Sequence, residues 1–176
     1  MTKRDVIITI STSRLDSGLQ FFRDNNCTYT VNLDEQETNE KREMPPPTEM
    51  ITDGKLVTSP TRVELVYEET VLSGMEGSVT AIGFDRSEPG MISMIRSGKV
   101  STALIFEEGV RHYSIFETPL STFQLCTYTE LVENRLLTDG TIRIEYIIEI
   151  RGAQAERCHM DISVRDDISP FKIMQP

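Results

Sequence analysis

Between residues 50 and 165 the chain is a succession of short strand-like segments, separated by turn signals about every 8 to 15 residues. The segments alternate apolar and polar side chains, as strands do when one face is buried and the other solvated. Helical periodicity is missing from every segment of ten or more residues. The predicted strands are 5–11, 50–58 (interrupted at Asp53-Gly54), 61–72, 78–84, 91–97, 100–106, 110–117, 121–132, 141–150 and 156–165. The pattern predicts an all-β protein.

Short connections place strands that are neighbours in sequence next to each other in space. A sheet of about eight to ten strands curls, and closing it removes its exposed edges. We therefore expect a single up-and-down antiparallel barrel, in preference to a sandwich, over residues 48–165. Residues 1–47 are expected to add an N-terminal strand and an irregular charged, proline-rich segment on or outside the barrel, and 166–176 a C-terminal tail. The pattern leaves the pairing of residues 12–47 open.

The chain carries a formal net charge of -10. Such an acidic surface repels phosphate backbones and anionic lipid head groups, and Lys and Arg are scattered, so neither nucleic acid nor membrane is an expected partner. The N-terminus lacks the apolar run of a signal peptide, and no stretch has 18 apolar residues. Three dispersed cysteines fit neither a disulfide framework nor a zinc motif. We expect a cytoplasmic protein without metal or cofactor.

Catalytic arrangements find little support in the sequence. Cys158 and His159 are adjacent in a predicted strand, so their side chains point to opposite faces. His112 and Cys126 lie on neighbouring predicted strands, but no Asp or Asn is placed to orient the imidazole. No catalytic residue is therefore assigned, and enzymatic activity is not the favoured interpretation.

Three polar residues interrupt otherwise apolar strand faces. Tyr67 and Glu69 share a face of one predicted strand, and Arg96 interrupts the apolar face of another. A charge on an apolar face must reach solvent or find a partner. If these faces point inward, Glu69 and Arg96 pair beside a cavity, with Tyr67 as a polar handle for a ligand. The alternatives are a purely structural ion pair or an arginine at the barrel rim near Gly98, and these carry more weight than a ligand site.

Several short motifs recur in one register between Met50 and Arg165. They are Gly54, Tyr67-Glu68-Glu69-Thr70, Gly74-Met75-Glu76-Gly77, Thr80, Ile95-Arg96-Ser97-Gly98, Phe106 with Gly109, Glu117-Thr118-Pro119 and Thr127-Tyr128-Thr129. With these motifs the chain resembles the YwiB-like bacterial proteins, a family of uncharacterised function. The resemblance implies a lipocalin-like (calycin-type) β-barrel and implies no particular activity.

Two functional hypotheses follow. The first is a non-catalytic cytoplasmic protein that binds a small hydrophobic or anionic ligand inside the barrel, with Tyr67, Glu69 and Arg96 as candidate ligand-binding residues. The second is a protein-interaction or assembly module that uses its outer face or a homodimer interface. An outward-facing Ile147 among Arg143, Glu145 and Glu149 motivates the second hypothesis. An open barrel interior favours the first, and a packed one favours the second.

Overall fold

The structure is a computed structural model that describes residues 1–21, 29–30, 44–150 and 153–167, with side chains for 1–15, 44–150 and 156–167. Within these ranges the regular elements are eleven β-strands and one 3-10 turn. The strands are β1 (Thr2–Phe21), β2 (Tyr29–Thr30), β3 (Thr48–Thr58), β4 (Arg62–Glu68), β5 (Ser78–Asp85), β6 (Ile92–Gly98), β7 (Ser101–Phe106), β8 (Arg111–Glu117), β9 (Thr122–Arg135), β10 (Thr141–Ile150) and β11 (Ala153–Asp166). The all-β prediction is confirmed.

The sheet is a closed antiparallel barrel of ten strands, β1 and β3 to β11. Consecutive strands pair with one another, and β1 closes the barrel against β11 from Val6↔Asp166 to Phe21↔Ala153. The short β2 pairs with the end of β1. The barrel wall therefore takes in the N-terminal strand as well as the segments from residue 48 onward. The remaining predicted features of residues 22–28, 31–43 and 168–176 lie outside the described residues.

Alternation along each strand fills one half of the barrel with apolar side chains. This packed half, here called the floor, is built from fully buried residues of β1, β3, β4, β5, β6, β7, β10 and β11. Its members are Val6, Ile8, Leu56, Val63, Leu65, Ile82, Ile92, Phe106, Ile142, Ile144 and Ile162. The branched side chains that favour strands thus also exclude water from this end.

The predicted interruption of strand 50–58 at Asp53-Gly54 is wrong, because the corresponding strand, β3, runs unbroken from Thr48 to Thr58. Gly54 is needed for a close approach instead of a turn. A Cβ at this position would collide with the Ile8 side chain on β1 and lie 2.9 Å from the carbonyl oxygen of Val66 on β4. The glycine therefore allows the Ile8 side chain and the β4 backbone to lie close to β3.

Two further strand predictions need correction. The predicted strand 61–72 ends at Glu68, and a 3-10 turn, Val71–Ser73, follows and leaves Val71 exposed. Gly74, at φ 70°, closes that turn in the left-handed region, which an alternating pattern does not reveal. In β9 strict alternation predicts that Leu131 shares a face with Thr127 and Thr129, but Glu130 is an extra residue opposite Glu145 and Tyr146. This β-bulge reverses the faces, so that Val132 and not Leu131 packs against the core.

Candidate ligand-binding cavity

Above the floor, the barrel encloses a cavity of about 680 Å³ that reaches the end of the barrel near Pro45, Pro46 and the Val71–Ser73 turn. Most of its wall is apolar, with contributions from eight strands. The apolar lining comprises Ile10, Met50, Met94, Leu104, Phe116, Phe123, Leu125, Ile148, Ile150 and Met160. Concave sites of this size with few polar groups are typical for small-molecule ligands. The side chains of the described residues therefore leave space in the interior.

The three predicted site residues come together in the cavity wall. Tyr67 on β4 and Glu69 directly after it point inward, and β5 places Thr80 between them and Arg96 on β6, since Thr80 pairs with both Tyr67 and Arg96. The Arg96 Nη2 lies 2.8 Å from Glu69 Oε1, and all three predicted residues line the cavity. The alternative of a rim arginine at the Gly98 turn is not what the structure shows, because only 10% of the Arg96 side chain is exposed.

A single carboxylate oxygen organises this cluster. Glu69 Oε1 accepts hydrogen bonds from the Thr80 hydroxyl at 2.5 Å and from Arg96 Nε at 3.0 Å, in addition to the Nη2 contact. Charge-assisted bonds of this kind satisfy the charge of a carboxylate that is only 2% exposed. The Arg96 charge is thus already neutralised by protein, so the pair supplies polarity to the wall without a net charge.

Tyr67 contributes a proton donor beside this ion pair. Burial raises the pKa of its phenol above the ordinary value, and the neighbouring Glu69 carboxylate raises it further. The hydroxyl therefore stays protonated across the physiological pH range and can donate a hydrogen bond into the cavity.

Two residues that the sequence interpretation did not select complete the polar lining. Arg14 continues the inward face of β1 beyond Ile10, and it lies opposite Cys158 of β11. Tyr146 of β10 stands on the other side of Cys158 and lines the cavity as well. Burial raises the pKa of Tyr146, while the positive charge of Arg14 acts in the opposite direction, which places the two groups near each other. Extending the alternation of Val6, Ile8 and Ile10 would have found Arg14.

Arg14 differs from Arg96 in its surroundings. It is exposed at the open end, and among the residues with described side chains no carboxylate forms an ion pair with it. Glu156 also lines the cavity, and its carboxylate accepts a hydrogen bond from the Cys158 thiol at 3.9 Å. Arg14 is therefore the cationic group available to an anion that enters the cavity.

The cysteine and histidine side chains do not form a catalytic pair within the described residues. His112 faces the interior opposite Thr127 and contacts the Glu107 carboxylate at 3.0 Å, whereas Cys126 lies opposite Tyr113 on the outer face. Burial raises the pKa of the Cys158 thiol to about 11, so the thiol is protonated and a poor nucleophile. No group of three or more His, Cys, Asp or Glu residues suited to a metal ion is found in the described part of the chain.

Over the ranges that the structure describes, none of the helical segments has the length and apolar character needed to cross a bilayer.

Comparison with solved structures finds the ywiB protein from Bacillus subtilis, whose crystal structure superimposes with a TM-score of 0.66. The match covers 93% of this chain and 92% of that chain, at 16% sequence identity, and shows a shared fold. No curated protein matches the sequence. The family model described as "Domain of unknown function (DUF1934)" matches residues 26–162. A barrel of this shape, matched over most of its length by that model, places the chain in the DUF1934 family.

Proposed function

We propose that the protein is a non-catalytic binding protein that holds one small, largely apolar molecule in its barrel, as lipocalin-type barrels do. The observation that carries the proposal is the open cavity of about 680 Å³ between the packed floor and the barrel end. An interior that served only stability would be filled, because empty apolar space costs contacts. The YwiB-like resemblance supports a barrel fold for such a binding protein, but it does not identify a ligand.

The arrangement of the lining argues for an amphipathic ligand. Methionine and phenylalanine side chains surround the middle of the cavity, and methionine adapts to ligands of irregular shape. Tyr67 and the Glu69–Arg96 pair offer hydrogen-bonding groups on one wall. Arg14 offers a positive charge at the open end, next to Tyr146. An apolar body with a carboxylate directed toward Arg14 matches the apolar lining and the positive charge at the open end.

Native mass spectrometry of freshly purified protein, compared with its denatured mass, tests whether a small molecule copurifies. Calorimetric titration then tests the ligand class, with dodecanoate and dodecyltrimethylammonium below their micelle concentrations and dodecan-1-ol below its solubility limit. We expect dodecanoate and dodecan-1-ol to bind with one-to-one stoichiometry, and dodecanoate about tenfold more tightly because of a charge-assisted contact. Absence of binding by all three compounds, together with a bare native mass, contradicts the proposal.

The variant Arg14→Gln separates the contact of the ligand carboxylate with Arg14 from the contacts of its alkyl chain with the apolar lining. We expect it to reduce the dodecanoate affinity about tenfold, to that of dodecan-1-ol, and to leave the alcohol unchanged. Arg143→Gln is the matched control, since Arg143 lies on the outer face in an exposed pair with Asp161. Equal loss in both variants would assign the carboxylate preference to general surface charge.

A further inference from the structure

A ligand carboxylate at Arg14 leaves a second polar part of the cavity wall unmatched. Tyr67, Glu69 and Arg96 form this part, here called the polar cluster. It stands on a different wall from Arg14, because β3, β4 and β5 lie between β1 and β6 on one side of the barrel and β7 to β11 on the other. Burial raises the pKa of Tyr146, and the charges of Arg14 and Arg96 both oppose this increase, so Tyr146 lies between the two polar regions.

Glu69 uses one of its two carboxylate oxygens inside the protein. Oε1 accepts hydrogen bonds from the Thr80 hydroxyl and from Nε and Nη2 of Arg96. Oε2 makes no hydrogen bond to the residues that the structure describes, and it is not one of the fully enclosed polar atoms that lack a partner. Since Glu69 lines the cavity, Oε2 is an acceptor available there.

The other two members of the polar cluster supply donors. Arg96 directs Nε and Nη2 to Glu69 and Thr80, whereas its Nη1 has no hydrogen-bond acceptor in the described part of the chain. The Tyr67 hydroxyl lies beside Thr80 and Arg96 and keeps its proton because burial raises its pKa. Only 10% of the Arg96 side chain and 5% of Tyr67 are exposed, so bulk water reaches these donors poorly. Buried donors without an acceptor are costly, which favours a ligand atom that accepts from them.

A hydroxyl group matches this combination of donors and acceptor. Its oxygen accepts from Tyr67 or from Arg96 Nη1, and its proton is donated to Glu69 Oε2. A second carboxylate would be repelled by Glu69, since the charge of Arg96 is already neutralised. A ketone or ether oxygen would leave the Glu69 acceptor unmatched, and an ammonium group would leave both donors unmatched.

We propose that the polar cluster is a subsite for a hydroxyl group on the ligand, which makes the ligand class a long-chain hydroxycarboxylic acid. The inference rests on the proposed function and adds a second polar group to the ligand. A ring of ten strands about 4.8 Å apart is at least about 15 Å across. The hydroxyl therefore belongs several carbons away from the carboxylate that faces Arg14.

Calorimetric titration of the parent protein compares dodecanoate with hydroxydodecanoates whose hydroxyl is on the second, sixth, ninth or last carbon. We expect at least one of the three isomers with a distant hydroxyl to bind about tenfold more tightly than dodecanoate, because of the added hydrogen bonds. The isomer with the hydroxyl on the second carbon should show no such gain. In a wall without a hydroxyl subsite, every added hydroxyl weakens binding because it loses water.

Dodecanoate binding without a tighter hydroxylated isomer overturns the subsite and leaves the proposed function in place. Absence of binding by dodecanoate and by every isomer contradicts both.

The variant Tyr67→Phe deletes one donor of the polar cluster and is expected to remove most of the tenfold preference for the hydroxylated acid. Tyr113→Phe is the matched control, since Tyr113 is an exposed tyrosine opposite Cys126 on the outer face, and it should keep the full preference. Thermal unfolding confirms that both variants are folded. A preference that survives Tyr67→Phe, or that both variants lose equally, shows that the hydroxyl does not bind at the polar cluster.

Discussion

The guanidinium of Arg96 contacts the carboxylate of Glu69 at 2.8 Å inside the barrel wall, although the two residues are 27 positions apart in the chain. The contact forms because β4 to β6 are consecutive strands and Thr80 of β5 lies between them. The side chains are only 10% and 2% exposed, so water contributes little to their solvation. Each charge therefore depends on the other.

Removing one member of this pair should be costly. Arg96→Met leaves a buried carboxylate without its cation, and we expect a loss of about 3 to 5 kcal/mol in the free energy of unfolding, measured by urea denaturation. The double variant Glu69→Leu/Arg96→Met removes both charges and should recover most of that loss. Arg143→Met breaks a pair of similar length that is half exposed, and it should cost less than about 1 kcal/mol. Equal losses at both sites would show that burial does not govern the effect.

Gly54 should not tolerate a side chain. We expect Gly54→Ala to lower the free energy of unfolding by about 1 to 3 kcal/mol, because its Cβ would collide with Ile8 and crowd the Val66 carbonyl oxygen. Combination with Ile8→Val, which removes the Ile8 Cδ1, should recover part of the loss. Gly90→Ala is the control, since nothing lies within 4 Å of the added Cβ, and thermal unfolding should hardly change. A tolerated Gly54→Ala would contradict the tight packing of β1 on β3.

The buried Cys158 thiol should make stability depend on alkaline pH. Its pKa is raised by burial from 9.0 to about 11, so the folded state retains the proton more strongly than the unfolded state. The corresponding stabilisation is complete below about pH 9 and is lost as the pH rises toward 11, about 2 to 3 kcal/mol in total. Urea denaturation at several pH values measures this decline, to which Tyr67 and Tyr146 add at higher pH.

Cys158→Ala provides the comparison for that measurement. It lowers stability at every pH because it deletes a buried side chain, but it should remove the part of the decline that begins near pH 9. An unchanged slope between pH 9 and 10 in this variant would assign the effect to other groups.

The cavity and the floor should respond differently to added volume. Ile148 lines the cavity and is partly buried, so Ile148→Trp can extend into open space and should reduce dodecan-1-ol affinity at least tenfold with little change in melting temperature. Ile144 is fully buried in the floor, where Ile144→Trp should overpack the core and destabilise the fold. Calorimetric titration and thermal unfolding report the two effects separately. Unchanged dodecan-1-ol binding by Ile148→Trp would place the ligand elsewhere.

The sequence predicted the architecture because alternation and turn residues are local signals. Gly98 and Gly140 lie in gaps between predicted strands, and both glycines have the positive φ that tight hairpin turns require. Alternation also placed Tyr67 and Glu69 on one strand face and Arg96 on an apolar face of another strand, but it left open whether those faces point inward. It failed where one extra residue enters the ladder, at Glu130, because a bulge has no compositional signature in this segment.

The sequence did not predict the full set of polar residues that line the cavity together. Arg14 lies in a region whose pairing the pattern left open, and its position opposite Cys158 depends on the closure of β1 against β11. In the sequence, Thr80 is one of many polar residues in an alternating strand. Only the strand register shows that its hydroxyl donates a hydrogen bond to the Glu69 carboxylate. Contacts of this kind depend on the alignment of distant segments.

The sequence by itself determined that the chain forms strands, which side chains share a face, and that consecutive strands pair, because these properties depend on residues close together in the chain. The tertiary structure decided that the barrel closes through the N-terminal strand, that Glu69 and Arg96 neutralise each other, and that space remains above the floor. These features depend on the register and curvature of ten strands at once, since volume and burial belong to the assembled barrel and not to any one segment.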